Sequence, residues 1–316
     1  MDITVLICTR NRASTLRDCL ESLTDSQLPQ GVQWEVVVVD NHSSDQTCEV
    51  VKEFCHLLPG RFRYLYEATP GKSYALNAGI EAAKGSVVAF MDDDVKVTST
   101  WLFHLTAPLL KGECAGTGGR TLPEKLIPLP SWLALSGPYA LGGILAAMFD
   151  LGNEACELDR APYGANMAFR RSMFEKYGGF RVDLGPSPCS DVPRPNEDTE
   201  FGRRLMAAGE RLRYEPLAVV YHPISAERIE KNYFLSWWFD YGRASMREGG
   251  RKSDIFGVPR HWIVIPKIIL RFLIPSTIKW ALSIRPQRRF YKKCWIWVAL
   301  GQMREMRRLY GTKAVG

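Results

Sequence analysis

A chain of 316 residues, 46% hydrophobic and 24% charged, is too apolar to be disordered throughout. It is long enough for one large domain with an appendage, or for two domains. Its formal charge of +7 is uneven: residues 256–316 hold 13 Lys and Arg and one acid, Glu305, whereas residues 1–255 hold 28 basic and 33 acidic residues. That balance excludes a body-wide nucleic-acid surface and points to one local anionic partner at the C-terminal end. The eight cysteines include no C-x-x-C pair and no accompanying His cluster, which argues against a zinc site. They are read as reduced core residues of a cytosolic protein, because the opening Ile3–Ile7 is a strand pattern preceded by Asp2 and not a signal peptide.

Strand and helix patterns alternate from the start. Ile3–Cys8 is a short apolar run, followed by the polar turn Thr9–Arg12 and by helical spacing at Leu16, Leu20 and Leu23. Trp34–Asp40 places four consecutive valines before an aspartate. Asp45–Leu57 is compatible with helix, and Arg61–Tyr66 reads as a third strand. Ser73–Ala83 reads as a helix closed by Lys84-Gly85, and Ser86–Met91 as a fourth strand ending on Asp92-Asp93-Asp94. This alternation predicts an α/β domain with a mostly parallel sheet. Prolines 123, 128, 130 and 138 break the pattern next, and Ser131–Phe149 has no charge. Tyr163–Arg171 reads as a strand or turn, with a short helix to Tyr177. A Pro- and Ser-rich loop over 185–195 leads to Asn196-Glu197-Asp198 and a helix over Thr199–Ala208. Leu217–Tyr221 is a strand ending on His222.

In open α/β sheets, ligands sit at the carboxyl ends of the strands. Three predicted strand ends carry polar groups: Thr9–Arg12, Asp40-Asn41 and Asp92–Asp94. Three adjacent aspartates repel, and a divalent cation with hard oxygen ligands resolves the conflict; the plainer reading is a solvated acidic turn. Alternate residues project the same way at a strand end, so Asp92 and Asp94 can share an ion.

The ordered set Val5–Arg12, Val38–Asp40 with Ser43–Asp45, Gly71–Gly79, Phe90–Asp94, Gly164–Arg171, Asn196–Asp198 and His222 resembles the inverting, non-processive family 2 glycosyltransferases of the GT-A fold. The resemblance covers about residues 2–225. It implies a nucleotide-sugar donor, with UDP as the first choice, lying over Thr9, Arg10, Asn11 and Arg12. It implies that Asp40 accepts from the base, and that Asp92 and Asp93 face the ribose or the metal's water. Asp94, with Asp92 and His222, would hold Mn2+ or Mg2+ under the diphosphate. Asp198 would be the general base, with Glu197 holding the acceptor or exchanging roles with it. Asn166 would reach sugar or acceptor hydroxyls, and Lys72 and Asn77 would join the donor contacts. Asp45 reads as a structural N-cap. The chain departs from the family pattern at Leu76, where relatives often carry Arg; that departure keeps guanosine and thymidine donors open beside uridine, with Lys72 a candidate to compensate.

Two domains are expected: a catalytic one over 1–225 and an aromatic, basic helical region over 226–316. Trp262–Ile284 is long enough to span a bilayer, but Lys267, Arg271 and Lys279 interrupt it. At 100° per residue those cations fall within about 120° of one face, which suits a helix lying in the interface of an anionic membrane. The expected activity is sugar transfer to a lipid-linked or membrane-proximal glycan, at the inner face of the cell membrane and without nucleic acid. The alternatives are a sugar nucleotidyltransferase, whose Gly-rich first loop is missing from Thr9–Arg12, and a decayed membrane-surface binding module.

Overall fold

The structure, a computed structural model, describes residues 1–125, 127–189, 191–249 and 260–311. Both ends of the expected basic region 256–316 lie outside the described residues, as does Ser190 in the Pro- and Ser-rich loop. In chain order the elements are β1 (Ile3–Thr9), α1 (Ala13–Thr24), β2 (Trp34–Asp40), α2 (Thr47–Leu57), β3 (Phe62–Tyr66), α3 (Lys72–Ala82), β4 (Val87–Asp92) and β5 (Lys96–Val97). Then come α4 (Trp101–Leu110), β6 (Gly116–Pro123), α5 (Gly142–Ala146), β7 (Cys156–Glu157), β8 (Asn166–Arg170), α6 (Arg171–Tyr177), α7 (Glu197–Ala207) and β9 (Leu212–His222). The chain ends with α8 (Lys231–Glu248), α9 (Arg260–Ile268), a π-helical turn (Ile269–Leu273), α10 (Ile274–Ala281) and α11 (Pro286–Gly311).

The chain forms two compact units. The first comprises Met1–Lys125, Ala146–Cys189 and Glu197–Pro223, and it holds a nine-stranded sheet in the order β3-β2-β1-β4-β8-β6-β9-β5, with β7 also on β9. β1 through β4 pair in parallel, as the alternating pattern predicts, while β8 runs antiparallel between β4 and β6. Period-two alternation sends Ile3, Val5 and Ile7 to one face, against Leu16, Leu20 and Trp101. Leu6, Val88 and Phe90 point to the other face, against Phe174, Phe180 and Phe201. Both layers are closed to water, and each fully buried Val, Leu or Phe contributes roughly 1.5–3 kcal/mol. Leu76 lies in the second layer, so the missing Arg is replaced by core packing.

β6 has no strand pattern in sequence, since three of its first four residues are glycine. Its neighbours explain the composition: a Cβ at Gly116 would strike Phe169 and Leu212, and one at Gly119 would strike Asn166 and the carbonyl of Ala218.

The second unit holds the described residues within Leu126–Leu145, Ser190–Asn196 and Ile224–Gly316. The division therefore differs from a single cut at 225. Trp132, Leu133 and Leu141 pack with Phe234, Trp238, Phe290 and Val298, so the uncharged stretch after residue 130 joins the helices of this unit. The helix over His261–Ala281 is long and apolar enough to cross a membrane, and its apolar 18-residue stretch is almost wholly unburied. It is exposed at Trp262, Leu270, Ile274 and Ile278, and also at Lys267, Arg271 and Lys279. All eight cysteines are free; Cys19, Cys114 and Cys294 are buried, but Cys156 and Cys189 are exposed and do not belong to a core.

Candidate active site

The sheet order places β1 between β2 and β4, and the carboxyl ends of these strands, with that of β9, gather the polar residues. β4 ends on Asp92, and the chain turns at once through Asp93 and Asp94. β9 ends on His222. One ligand atom each from Asp92, Asp94 and His222 lie within 4.8 Å of one another.

The donor chemistry of this group fits a divalent cation. His222 is 2% exposed, and its Nδ1 lies 2.8 Å from the Pro223 carbonyl. A carbonyl only accepts, so Nδ1 carries the proton, and in the neutral ring Nε2 presents a lone pair. That Nε2 lies 3.6 Å from Asp94 Oδ1, a buried oxygen with no hydrogen-bond partner. A buried orphan carboxylate oxygen facing an imidazole lone pair is costly unless a cation comes between them.

Asp93 turns the other way. It accepts from Arg12 Nη1 at 2.9 Å, and Arg12 also reaches Asp94 Oδ2 at 3.0 Å. Burial pushes Asp93 up to about 6, with Arg12 opposing, while Asp93 in turn raises the Arg12 guanidinium. Asp93 is therefore an inward strut for the turn.

Lys72 opens α3 and extends between two acidic groups. Its Nζ donates to Asp92 Oδ1 at 2.7 Å and lies 3.6 Å from Glu197 Oε1. Burial pulls this ammonium down, but Asp92 and Glu197 outweigh it and hold it charged well above the usual lysine range. Glu197 is 4% exposed; burial and the neighbouring Asp198 push it up to about 8. Asp198 is partly exposed and is raised by burial, against Lys72 and two backbone amides. Those amides are Gly164 N–H on Oδ2 and Thr199 N–H on Oδ1, both at 2.6 Å. A Cβ at Gly164 would press on that carboxylate, and one at Gly185, whose φ is +93°, would press on Glu197 and Ser73. Glu197 is thus packed in, while Asp198 keeps lone pairs toward solvent.

The first loop stands on the other side of β1. Thr9 closes β1, and Arg10, Asn11 and Arg12 form the turn before α1. Asn11 has φ +52°; its amide donates to Ser43 and its side-chain oxygen accepts from Ser44 N–H. Asp45 accepts from Ala13 N–H and Thr47 N–H, fastening the starts of both α1 and α2. Asp40 is 2% exposed and takes donors from Tyr64 Oη–H at 2.8 Å and Ser43 N–H at 2.9 Å.

Two residues of the expected donor set are engaged elsewhere. Asn77 gives and takes a 2.8 Å bond with the backbone of Phe180. Asn166 accepts from Trp101 Nε1–H and donates to the carbonyls of Arg120 and Ala218. Buried main-chain groups beside irregular strands need such partners, and these amides satisfy them in place of a ligand. Sequence reasoning also missed Tyr64 as the partner of Asp40. Asp40 closes β2 and Tyr64 lies midway along the parallel β3, two register steps from it, and only the pairing of β2 with β3 reveals the contact.

Comparison with known proteins follows the same line. The chain is 25% identical over 256 residues to YdaM of Bacillus subtilis (strain 168), which bears a glycosyltransferase name; the match covers 75% of this chain and 52% of that protein, so the chain spans about half of that relative's length. It is 26% identical over 252 residues to a glucosyl-dolichyl phosphate glucuronosyltransferase of Haloferax volcanii, covering 78% and 77% of the two chains. A mannosyltransferase of Pyrobaculum calidifontis, solved in complex with GDP-Man and Mn2+, shares the fold at a TM-score of 0.61 and 17% identity, over 95% of this chain and 86% of that one. The model of glycosyl transferase family 2 matches residues 4–178, more than half of the chain. The protein belongs to that family and is a glycosyltransferase with a GT-A fold.

Proposed function

We propose that this glycosyltransferase inverts the anomeric centre of a sugar as it moves it, one residue at a time, from a nucleotide diphosphate donor to a hydroxyl of a lipid-linked or membrane-proximal glycan. A UDP-sugar is the proposed donor. The observation that carries this reading is the gathering of Asp92, Asp94 and His222, with Lys72 joining Asp92 to Glu197, the neighbour of Asp198. Asp92, Asp94 and His222 would hold Mn2+ or Mg2+, which when bound offsets the charge of a leaving diphosphate. The glucuronosyltransferase relative is named for a dolichyl phosphate substrate, which supports a lipid-linked acceptor.

Each residue has a task that its surroundings permit. Lys72 keeps Asp92 oriented and lowers the cost of the anions around it. Thr9, Arg10, Asn11 and Arg12 line the nucleotide side, and Asp40 orients the base with its remaining lone pairs. Asp198 takes the proton of the attacking hydroxyl as that oxygen bonds to the sugar carbon and the bond to the diphosphate breaks. Its two backbone amides hold it in one orientation while leaving a lone pair for the acceptor. Glu197, whose carboxyl is raised by burial and by Asp198, holds an acceptor hydroxyl or stands behind the base.

The second unit would carry the enzyme to an anionic membrane at the inner face of the cell. The exposed apolar and cationic residues of His261–Ala281 support this.

A thermal-shift screen of UDP- and GDP-sugars with Mn2+ tests the donor assignment. A ligand at 100 times its Kd adds about 2.7 kcal/mol and raises Tm measurably. No shift with any nucleotide sugar, in wild-type protein with Mn2+, would overturn it.

A further inference from the structure

Asn41 follows Asp40 at the end of β2 and is 4% exposed. Its side chain faces the segment that enters α3. Oδ1 accepts from Gly71 N–H at 2.7 Å, and Nδ2 donates to the carbonyls of Thr69 at 2.8 Å and Glu67 at 3.4 Å. The backbone adds one tie, from Glu67 N–H to the Asp40 carbonyl at 2.9 Å. A single amide side chain thus fastens residues 67–71 to β2 at three points.

Gly71 is where this segment turns into α3. Its φ of +143° is one that side chains rarely adopt, and its carbonyl accepts from Tyr74 and Ala75 N–H. No side chain caps α3 at this residue. A buried backbone N–H needs a partner, and Asn41 supplies it from the sheet. Two other ties hold this helix start: Lys72 N–H on the Pro186 carbonyl and Ser73 Oγ–H on the Leu184 carbonyl, both at 2.8 Å. Both lead to a loop outside any strand or helix. Asn41 therefore ties the first turn of α3 to the central sheet, and the residue next to Gly71 is Lys72.

We propose that Asn41 is a positioning residue for Lys72, holding the start of α3 where the ammonium meets Asp92 and Glu197. This rests on the reading of Lys72 as the residue that orients Asp92 for the donor. A lysine ammonium is a point charge on a flexible stem, so its reach is set by where its Cα is held. Asn41, Lys72, Asp92 and Glu197 all belong to the first unit.

The test uses full-length Asn41→Ala, Lys72→Met and the double variant. Hydrogen exchange is followed at the Lys72, Tyr74 and Ala75 amides, with the amides of β4 as internal control. In parallel, calorimetry measures the affinity for UDP with Mn2+. Asn41→Ala should raise exchange at the three amides about tenfold and leave β4 unchanged. It should weaken UDP binding about tenfold, because a wandering ammonium no longer preorganises Asp92. In the Lys72→Met background the same change should cost less than about twofold, since the group it positions is already gone. Asn41→Ser, which leaves a polar atom in the gap without spanning it, should behave as Asn41→Ala and replaces it if that variant does not fold. Wild-type exchange at the three amides in the folded variant overturns the proposal. Raised exchange with unchanged UDP affinity also overturns it, by making the contact merely structural. So does an equal loss of affinity with and without Lys72, which would route the effect through the neighbouring Asp40. A wild type that binds no UDP would instead count against the donor assignment, and the exchange arm would then decide this proposal alone.

Discussion

Lys72 touches Asp92 on one side and approaches Glu197 on the other, so a single ammonium links the proposed metal site to the proposed acceptor carboxylates. Lys72→Met should lower donor affinity and turnover together, each by about tenfold, since removing one partner of a partly buried pair leaves the other charge uncompensated. Donor titration and steady-state kinetics check this. Asp198→Asn should spare donor binding and reduce kcat by about 100-fold or more, because an amide cannot take the proton. Asp94→Ala should abolish metal-dependent donor binding. Glu197 adds a pH signature. Its folded pKa of about 8 lies above the ordinary value of 4.5, so the folded protein keeps a proton that the unfolded chain has lost. Its contribution to stability is full at acid pH and fades as pH rises toward about 8. Glu197→Gln should flatten the fall in Tm between about pH 5 and pH 8. The acidic residues themselves were legible in sequence, because aspartates at strand ends are conspicuous. The engagement of Asn77 and Asn166 was not, because their partners are main-chain groups of Phe180, Arg120 and Ala218, distant in the chain.

At the scale of elements, the valine run of β2 and the apolar run of β1 announced themselves, and their parallel pairing follows from the intervening helices. β6 did not, since its glycines answer to neighbours and not to strand propensity. A similar dependence on neighbours appears where α8 crosses α11. A Cβ at Gly301 would meet the carbonyl of Phe239, and one at Gly242 would meet that of Val298. These are backbone atoms, which cannot rotate away. Gly301→Ala and Gly242→Ala should therefore each cost about 1–3 kcal/mol, the range for overpacking, read as a lower Tm. Gly209→Ala, with open space around its Cβ, should cost less despite its left-handed φ of +85°.

For the molecule as a whole, charge asymmetry in the sequence pointed to an anionic partner, and the exposed helix over His261–Ala281 supplies a surface with both apolar and basic residues. Replacing Lys267, Arg271 and Lys279 with Glu should abolish flotation with phosphatidylserine vesicles, since each cation near such a surface is worth about 1 kcal/mol. Raising the salt should weaken binding of the unaltered protein in the same assay, as screening demands. Protein that stays at the bottom of the gradient at low salt would rule out the membrane role. The boundary between units was less legible, because a cut at 225 presumes that each unit uses one stretch of chain, whereas the second is assembled from three. Trp132, Leu133 and Leu141 find Phe290 and Val298 only after nearly the entire polypeptide has been made. During synthesis these apolar side chains wait for α8, and their cover is complete only when α11 has left the ribosome. The nascent enzyme is therefore a natural client for chaperones, and a fragment ending near residue 225 would keep that sticky stretch without its cover.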